Sequence, residues 1–314
     1  MFRFFLAMML AAPAFAGEPL YELSGRLVPK EYARVAVFGA NSPFQAETES
    51  DESGRFRFRH LRAGPYMIAV SIGGRGEARQ TVEVGPGTAD LHRRIFLTLQ
   101  FKESDFVFQD MVRRRNSVST RQLAIPASAL HDYQEAGKDL EKHEVESAAK
   151  RLEHAVQVAP QFAMAWNELG TIAYQTGQYD RAERCFRMAL EQDPRAYEPL
   201  VNLGGALINT HKLDEALMYN QDAVLTRPND ALANSQLGMA YFATGNFDLA
   251  VKYLEIARRI DPTHFSHPQL VLAEIHLRRG ENSAAADVLE DFLQHHPDYP
   301  RAEQVRENIA KLRQ

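Results

Sequence analysis

Cysteine is nearly missing from this chain: of 314 residues, only Cys185 carries a thiol. No disulfide can therefore close within the chain. Cys185 sits beside Phe186 on a stretch that reads as a packed helix, where a free cysteine behaves as a small hydrophobe. The other reading open to an odd cysteine in an exported protein is a reactive thiol. Tryptophan also occurs once, at Trp166. Positive charge is not in excess, since 36 Lys and Arg face 41 Asp and Glu for a net charge of −5. Nothing in that balance calls for a polyanion, and no basic face of the kind a nucleic-acid binder shows is visible. Apolar runs are short; spanning a bilayer takes roughly 20 apolar residues, and no segment has them. The motifs H-E-x-x-H, G-x-S-x-G and G-x-x-x-x-G-K-[ST] are all missing, so no common hydrolase or nucleotide site is expected. What remains, 45% apolar and 25% charged, is the composition of an ordinary globular chain long enough for two domains.

The first 16 residues are expected to be a signal peptide. Arg3 supplies the positive start, residues 4–12 a short apolar run, and Ala14-Phe15-Ala16 a cleavage site, so the mature chain is expected to begin at Gly17. No Cys follows that site, which disfavours the lipoprotein form. An uncleaved N-terminal anchor is the alternative. The expectation is an exported protein, periplasmic or secreted, with no integral span after cleavage.

Residues 17–100 alternate. In Gly54-Arg55-Phe56-Arg57-Phe58-Arg59 the phenylalanines fall on one face and the arginines on the other, as in a half-buried strand. Ala63-Gly64-Pro65 then marks a turn, and residues 66–70 form another strand. Further candidates are 21–28, 34–38, 44–48, 80–84 and 91–99. Seven short strands predict a small antiparallel β-sandwich.

The phrase Gly54-x-Phe56-x-Phe58-x-x-Leu61-x-x-Gly64-x-Tyr66 resembles the carboxypeptidase regulatory-like domain, a transthyretin-like sandwich. The resemblance implies a domain that is usually not catalytic. Some relatives share their fold with starch-binding modules, so it also implies a glycan as a second kind of partner. Tyr32, Phe38 and Phe44 are the aromatics available as a sugar platform, against a core or edge role for each. Residues 101–128 fit neither pattern. They hold Arg113-Arg114-Arg115, read as a solvated linker, with 118–125 as a candidate edge strand.

From Ala129 onward the chain is periodic. Ala155, Ala189, Ala223 and Ala257 stand 34 residues apart, as do Pro160, Pro194, Pro228 and Pro262. Leu169-Gly170, Leu203-Gly204 and Leu237-Gly238 mark an earlier slot of the same frame, and a fifth unit carries one extra residue. Period and punctuation resemble the tetratricopeptide repeat, a helix–turn–helix unit. Ala136 and Leu272-Ala273 depart from the Leu-Gly slot, and Asn220 stands where a Phe is expected. Gly177 and Gly245 should end first helices with φ > 0. Asp180 and Asp248 should lie at the start of second helices. Five units over 129–299 and a closing helix over 301–312 make an all-α solenoid, because one helix pair cannot bury its own apolar face and stacking does.

The resemblance implies a concave face that takes a peptide or protein segment. By motif position that face includes Tyr133, Gln134, Asn167, Glu168, Thr171, Tyr174, Gln175, Asn202, Asn209, Gln236, Met239 and Phe242. These are amides and aromatics rather than the basic residues that grip a C-terminal carboxylate. His264, His267 and the pair His295-His296 have no third ligand at a suggestive spacing and read as histidines of inter-repeat turns. The reading is thus an exported, non-enzymatic interaction scaffold without cofactor or metal, its partner a protein or peptide of the cell envelope. The alternative is a carbohydrate-binding accessory protein using the sandwich. Sequencing of the protein recovered from cells should find Gly17 as its first residue; an intact Met1 terminus in a membrane fraction would refute cleavage.

Overall fold

The computed structural model describes residues 19–106 and 124–314. The signal segment, the Arg113–Arg115 run and all but the end of the candidate strand at 118–125 lie outside the described residues. Strands β1 (Tyr21–Val28), β2 (Arg34–Gly39), β3 (Gln45–Glu49), β4 (Arg55–Leu61), β5 (Gly64–Ile72), β6 (Gly76–Val84) and β7 (Arg94–Gln100) form two packed sheets. One has the order β4-β1-β7, the other β3-β2-β5-β6. Alternation places the side chains as expected: Leu23, Leu27, Phe56, Phe58 and Leu61 face Val35, Val37, Ile68 and Val70 across the core. Tyr66 is buried, and its hydroxyl accepts from the Arg62 N–H at 3.0 Å and donates to the Arg62 carbonyl at 3.1 Å.

Two details differ from the sequence expectation. β1 and β7 run parallel, while every other pairing is antiparallel. After β6 the chain crosses to the other sheet instead of folding back in a hairpin, and a parallel neighbour needs such a crossover. β7 also starts at Arg94 rather than residue 91, because the Asp90 carboxylate accepts from the N–H groups of His92 and Arg94 and closes a turn there. Phe44 belongs to the core, edge-on to Tyr66 at 5.6 Å, whereas Tyr32 and Phe38 are exposed.

The solenoid comprises α1 (Ala127–Glu141), α2 (Val145–Val158), α3 (Ala163–Gln175), α4 (Tyr179–Gln192), α5 (Tyr197–Asn209), α6 (Leu213–Thr226), α7 (Ala231–Ala243), α8 (Phe247–Ile260), α9 (Pro268–Arg278), α10 (Asn282–His295) and the closing α11 (Ala302–Leu312). The recurrent glycine lets the two helices of a unit touch. A Cβ at Gly170 would lie 2.6 Å from the Phe186 ring, and one at Gly238 2.6 Å from Leu254. In the first and fifth units Ala136 and Ala273 take this place, buried in the same cores as Leu152 and Leu289.

The position that ends each first helix has positive φ in all five units, but only three of them use glycine. Gly177, Gly245 and Gly280 have φ of 77°, 80° and 75°, while His143 and His211 have 61° and 59°. Consecutive first helices α3, α5, α7 and α9 touch one another. They therefore form the inner row of a curved array, with second helices outside.

The third unit carries a packing flaw. Asn220 takes the place of Phe186 and Leu254, is fully buried, and has a partner for neither Nδ2 nor Oδ1. A buried polar group left unsatisfied costs about 1–3 kcal/mol, so Asn220→Leu should stabilise the solenoid by about that amount. Thermal unfolding followed by circular dichroism should shift upward by about 2–4 °C per kcal/mol. A lower midpoint would show that Asn220 has a partner in solution.

Candidate functional site

Strand β6 is an edge of the four-stranded sheet, and the backbone groups on its outer side have no strand to pair with. The solenoid supplies the partners. The Thr81 N–H donates to Asp261 Oδ2 at 3.1 Å, and Thr263 Oγ1 donates to the Thr81 carbonyl at 3.0 Å. Asp261 closes α8. Its Oδ1 accepts from the Thr263 N–H at 3.1 Å and lies 2.8 Å from the Thr263 hydroxyl, whose one proton is shared between this carboxylate and the Thr81 carbonyl.

The neighbouring residues of β6 meet neighbouring repeats. Arg79 donates to Glu77 at 2.6 Å within its own strand and to Glu198, in the first turn of α5, at 3.4 Å. Burial alone would lower the Arg79 pKa, but the carboxylates of Glu77, Glu198 and Asp230 outweigh it and raise it. Glu198 also accepts from Arg227 at 3.5 Å, whose guanidinium lies 3.7 Å over the Tyr197 ring. Glu83 faces His296 Nδ1 at 3.4 Å. Past the strand, the Gly87 N–H donates to both oxygens of Asp298 at 2.9 Å. Residues 79–87 thus run along the inter-repeat turns of the third, fourth and fifth units in order.

The opposite edge of the sandwich reaches the first two units. Gln175 Nε2 donates to the Gly39 carbonyl at 2.8 Å. The His143 ring packs on Phe44 at 4.9 Å between centroids, and its Nε2 lies 2.9 Å from the His60 carbonyl, so that nitrogen carries the proton. A histidine in a turn that prefers glycine is strained, and here the ring makes contacts that glycine cannot.

The residues expected on the concave face lie on the inner row, but they chiefly bond one another. Asn202 Nδ2 donates to Asn167 Oδ1 at 3.2 Å, and Asn209 Nδ2 to Tyr174 Oη at 3.0 Å. Thr171 Oγ1 donates to the Asn167 carbonyl at 3.0 Å. Tyr133 packs on Phe162 at 5.1 Å. Gln236 is buried, and its Nε2 fills the space left by Gly205. Met239 and Phe242 pack against the core of the last units, with the Arg278 guanidinium 4.9 Å over the Phe242 ring. Burial raises the Glu168 carboxyl to about 7. Gln175 alone among them meets a backbone carbonyl of another domain, and that domain is the chain's own sandwich.

Sequence reasoning missed Glu198, Asp261, Thr263 and Asp298. A carboxylate one residue before or after the recurrent Pro262 and Pro297 was the available cue for Asp261 and Asp298, whereas Glu198, four residues past Pro194, had none. His264, His267 and His296 lie in inter-repeat turns as expected, and they are buried there. His267 stands edge-on to His296 at 4.4 Å and to Phe292 at 5.2 Å, and His264 Nδ1 meets Ser266 Oγ at 2.7 Å. Among the described residues no group of three or more His, Cys, Asp or Glu could hold a metal ion, and no helix is long and apolar enough to cross a membrane. Cys185 is buried, which pushes its thiol pKa up and makes it a poor nucleophile.

A β-sandwich fastened along the inter-repeat turns of a curved helical array defines a repeat-type interaction protein. The family model of the carboxypeptidase regulatory-like domain matches residues 23–98. That of the cilia and flagella-associated protein 70 middle TPR-like domain matches residues 133–261. The chain thus joins an N-terminal carboxypeptidase regulatory-like domain to a tetratricopeptide-type repeat array.

Cell division cycle protein 16 homolog of Homo sapiens is 32% identical over 119 residues, covering 35% of this chain and 19% of that protein. Tetratricopeptide repeat protein 21B of Homo sapiens is 24% identical over 229 residues, covering 68% of this chain and 17% of that protein. The chain thus spans under a fifth of the length of these curated relatives. Among solved structures, PilW, a widely conserved type IV pilus biogenesis factor, superposes with a TM-score of 0.53 at 22% identity, covering 60% of this chain and 86% of that one. This likeness is one of fold.

The buried histidines make this seam acid-sensitive. Burial, reinforced by His296 and His264, holds His267 at about 3 when folded, against 6.5 for a free imidazole. Burial likewise lowers His264, against the opposing pull of Asp261 and Asp230. Above pH 6.5 neither state takes a proton at His267. Below it the unfolded chain does and the folded chain does not, so stability falls as pH drops from 6.5 towards 3. The urea midpoint should fall over that window and fall less in His267→Asn, which keeps a residue tolerant of φ > 0. Equal pH slopes for the two proteins would contradict this assignment.

Proposed function

We propose that the chain is an exported, non-enzymatic scaffold whose solenoid takes extended protein segments, and that β6 is one such segment held in cis. The observation that carries this reading is the grip of Asp261 and Thr263 on both backbone groups of Thr81. Such bonds ignore side-chain identity, so an extended segment from a partner presents the same groups, as in strand addition at a sheet edge. Selectivity comes from the flanking carboxylates Glu198 and Asp230, which favour a basic residue two positions before the gripped one, where Arg79 stands. The polar inner row, with Asn167, Asn202 and Gln175, continues the track towards the first units. A seam made of ion pairs and side chain–backbone bonds opens more readily than an apolar one, since polar inter-domain interfaces resemble transient ones. A partner segment therefore competes with the sandwich edge.

The test uses a labelled peptide copying residues 76–87 and fluorescence anisotropy on the full chain. Arg79→Glu removes the cis ion pair and sets like charges together. Losing a charged hydrogen bond costs about 1.5–3 kcal/mol, so this variant should bind the peptide about tenfold or more tighter than wild type. Adding Asp261→Ala should abolish the gain. Equal affinity in all three proteins would sink the reading.

A further inference from the structure

The solenoid meets the four-stranded sheet along its edges and touches the three-stranded sheet at His60, leaving the outer face of that second sheet free. On the outer face of the free sheet, strand register places Arg57, Ser24 and Phe96 in one row and Arg55, Arg26 and Thr98 in the next. Arg59 and Arg94 stand one step back along the same face, beside Glu22. Glu22 pairs with Arg59 at 3.3 Å and with Arg57 at 3.9 Å, and Asp90 pairs with Arg94 at 3.0 Å. Arg26 and Arg55 have no ion pair among the described residues, and both are exposed. Rows this close put guanidinium groups about 5–7 Å apart, the strand spacing in one direction and the two-residue repeat in the other. The net charge of −5 hides this face, where Arg26, Arg55, Arg57, Arg59 and Arg94 outnumber Glu22 and Asp90.

The same face borders a depression of about 830 Å³. Its walls include Phe96 and Tyr32, which are 67% and 63% exposed. Its acidic members are engaged. Asp51 accepts from the N–H groups of Ser53 and Arg55 at 2.8 Å each, and Glu49 is hydrogen-bonded to the Tyr32 hydroxyl. A concave site with two exposed aromatic rings and two unpaired guanidinium groups has a definite complement. The rings present apolar faces to the C–H face of a sugar, and arginine forks match carboxylate or sulfate bidentately. A flat bilayer surface does not enter a depression.

We propose that this cleft binds an acidic oligosaccharide, a uronate- or sulfate-bearing chain, with Arg26 and Arg55 taking its anionic groups and Phe96 stacking on a ring. The site is independent of the β6 track, so either can fail without the other.

The test is titration calorimetry of the full-length protein with oligogalacturonate and with a heparin octasaccharide, beside neutral dextran and single-stranded DNA of matched charge. The wild type should bind at least one acidic oligosaccharide, and dextran should give no heat. The double variant Arg26→Ala, Arg55→Ala should lose tenfold or more, and Phe96→Ala threefold or more. Arg34→Ala, an exposed arginine on the other sheet, should change nothing. Since a multiple variant can fail to fold, Thr98→Glu provides a second probe: it adds a carboxylate to the second row and should weaken binding with circular dichroism unchanged. The proposal is overturned if neither acidic oligosaccharide binds, if DNA binds as tightly as they do, or if Phe96→Ala binds like wild type.

Discussion

The unpaired edge of the four-stranded sheet governs how the two halves of this protein meet. An edge strand is a row of unpaired donors and acceptors that attracts any other extended chain. Here β6 is covered by turn residues of the solenoid, which bond Thr81 on both its backbone groups and Gly87 on its N–H. Because a side chain reaches one peptide group at a time, the cover is intermittent, unlike the continuous ladder of a paired strand. The gaps between gripped residues are filled by the ion pairs of Arg79 and the contact of Glu83 with His296.

That arrangement decides the fate of the concave face. The inner row carries amides and hydroxyls, and adjacent first helices come close enough for those groups to bond from one helix to the next, as Asn202 does with Asn167 and Asn209 with Tyr174. Gly205 leaves room for Gln236 of the next first helix, while Gly170, Gly204 and Gly238 let the two helices within each unit touch. Docking one sheet on the solenoid leaves the other sheet's arginines facing solvent, which gives a chain of modest negative charge one strongly basic surface.

Polar cost is concentrated at the seam and in its neighbourhood. His143 keeps a positive φ where three other units use glycine, and its ring seals Phe44. His267 and His296 are buried with one ring nitrogen each lacking a partner, and they pack beneath the turns that grip β6. The neutral His267 imidazole tolerates this burial and a charged one does not, which ties the integrity of the seam to pH.

Local periodicity makes the architecture legible in the amino-acid order. Alternation of arginine and phenylalanine fixes which side of β4 faces the core, because successive residues of a strand point to opposite faces. A 34-residue frame of small and large residues fixes five helix pairs, because each unit must present the same complementary surface to the next. The parallel β1–β7 pair is not legible there, since pairing direction depends on the crossover between sheets and not on alternation. Nor is the site. Thr81 and Asp261 are separated by 180 positions, and no short-range pattern in either neighbourhood refers to the other. The inner-row residues can be assigned to their helices from the repeat frame, yet what their side chains bond to is set by the closeness of adjacent units and the arrival of the sandwich. Sequence determined the two folds, whose stability rests on repeated local surfaces; tertiary structure alone decided the site, because it arises where the unpaired edge of one fold meets the turns of the other.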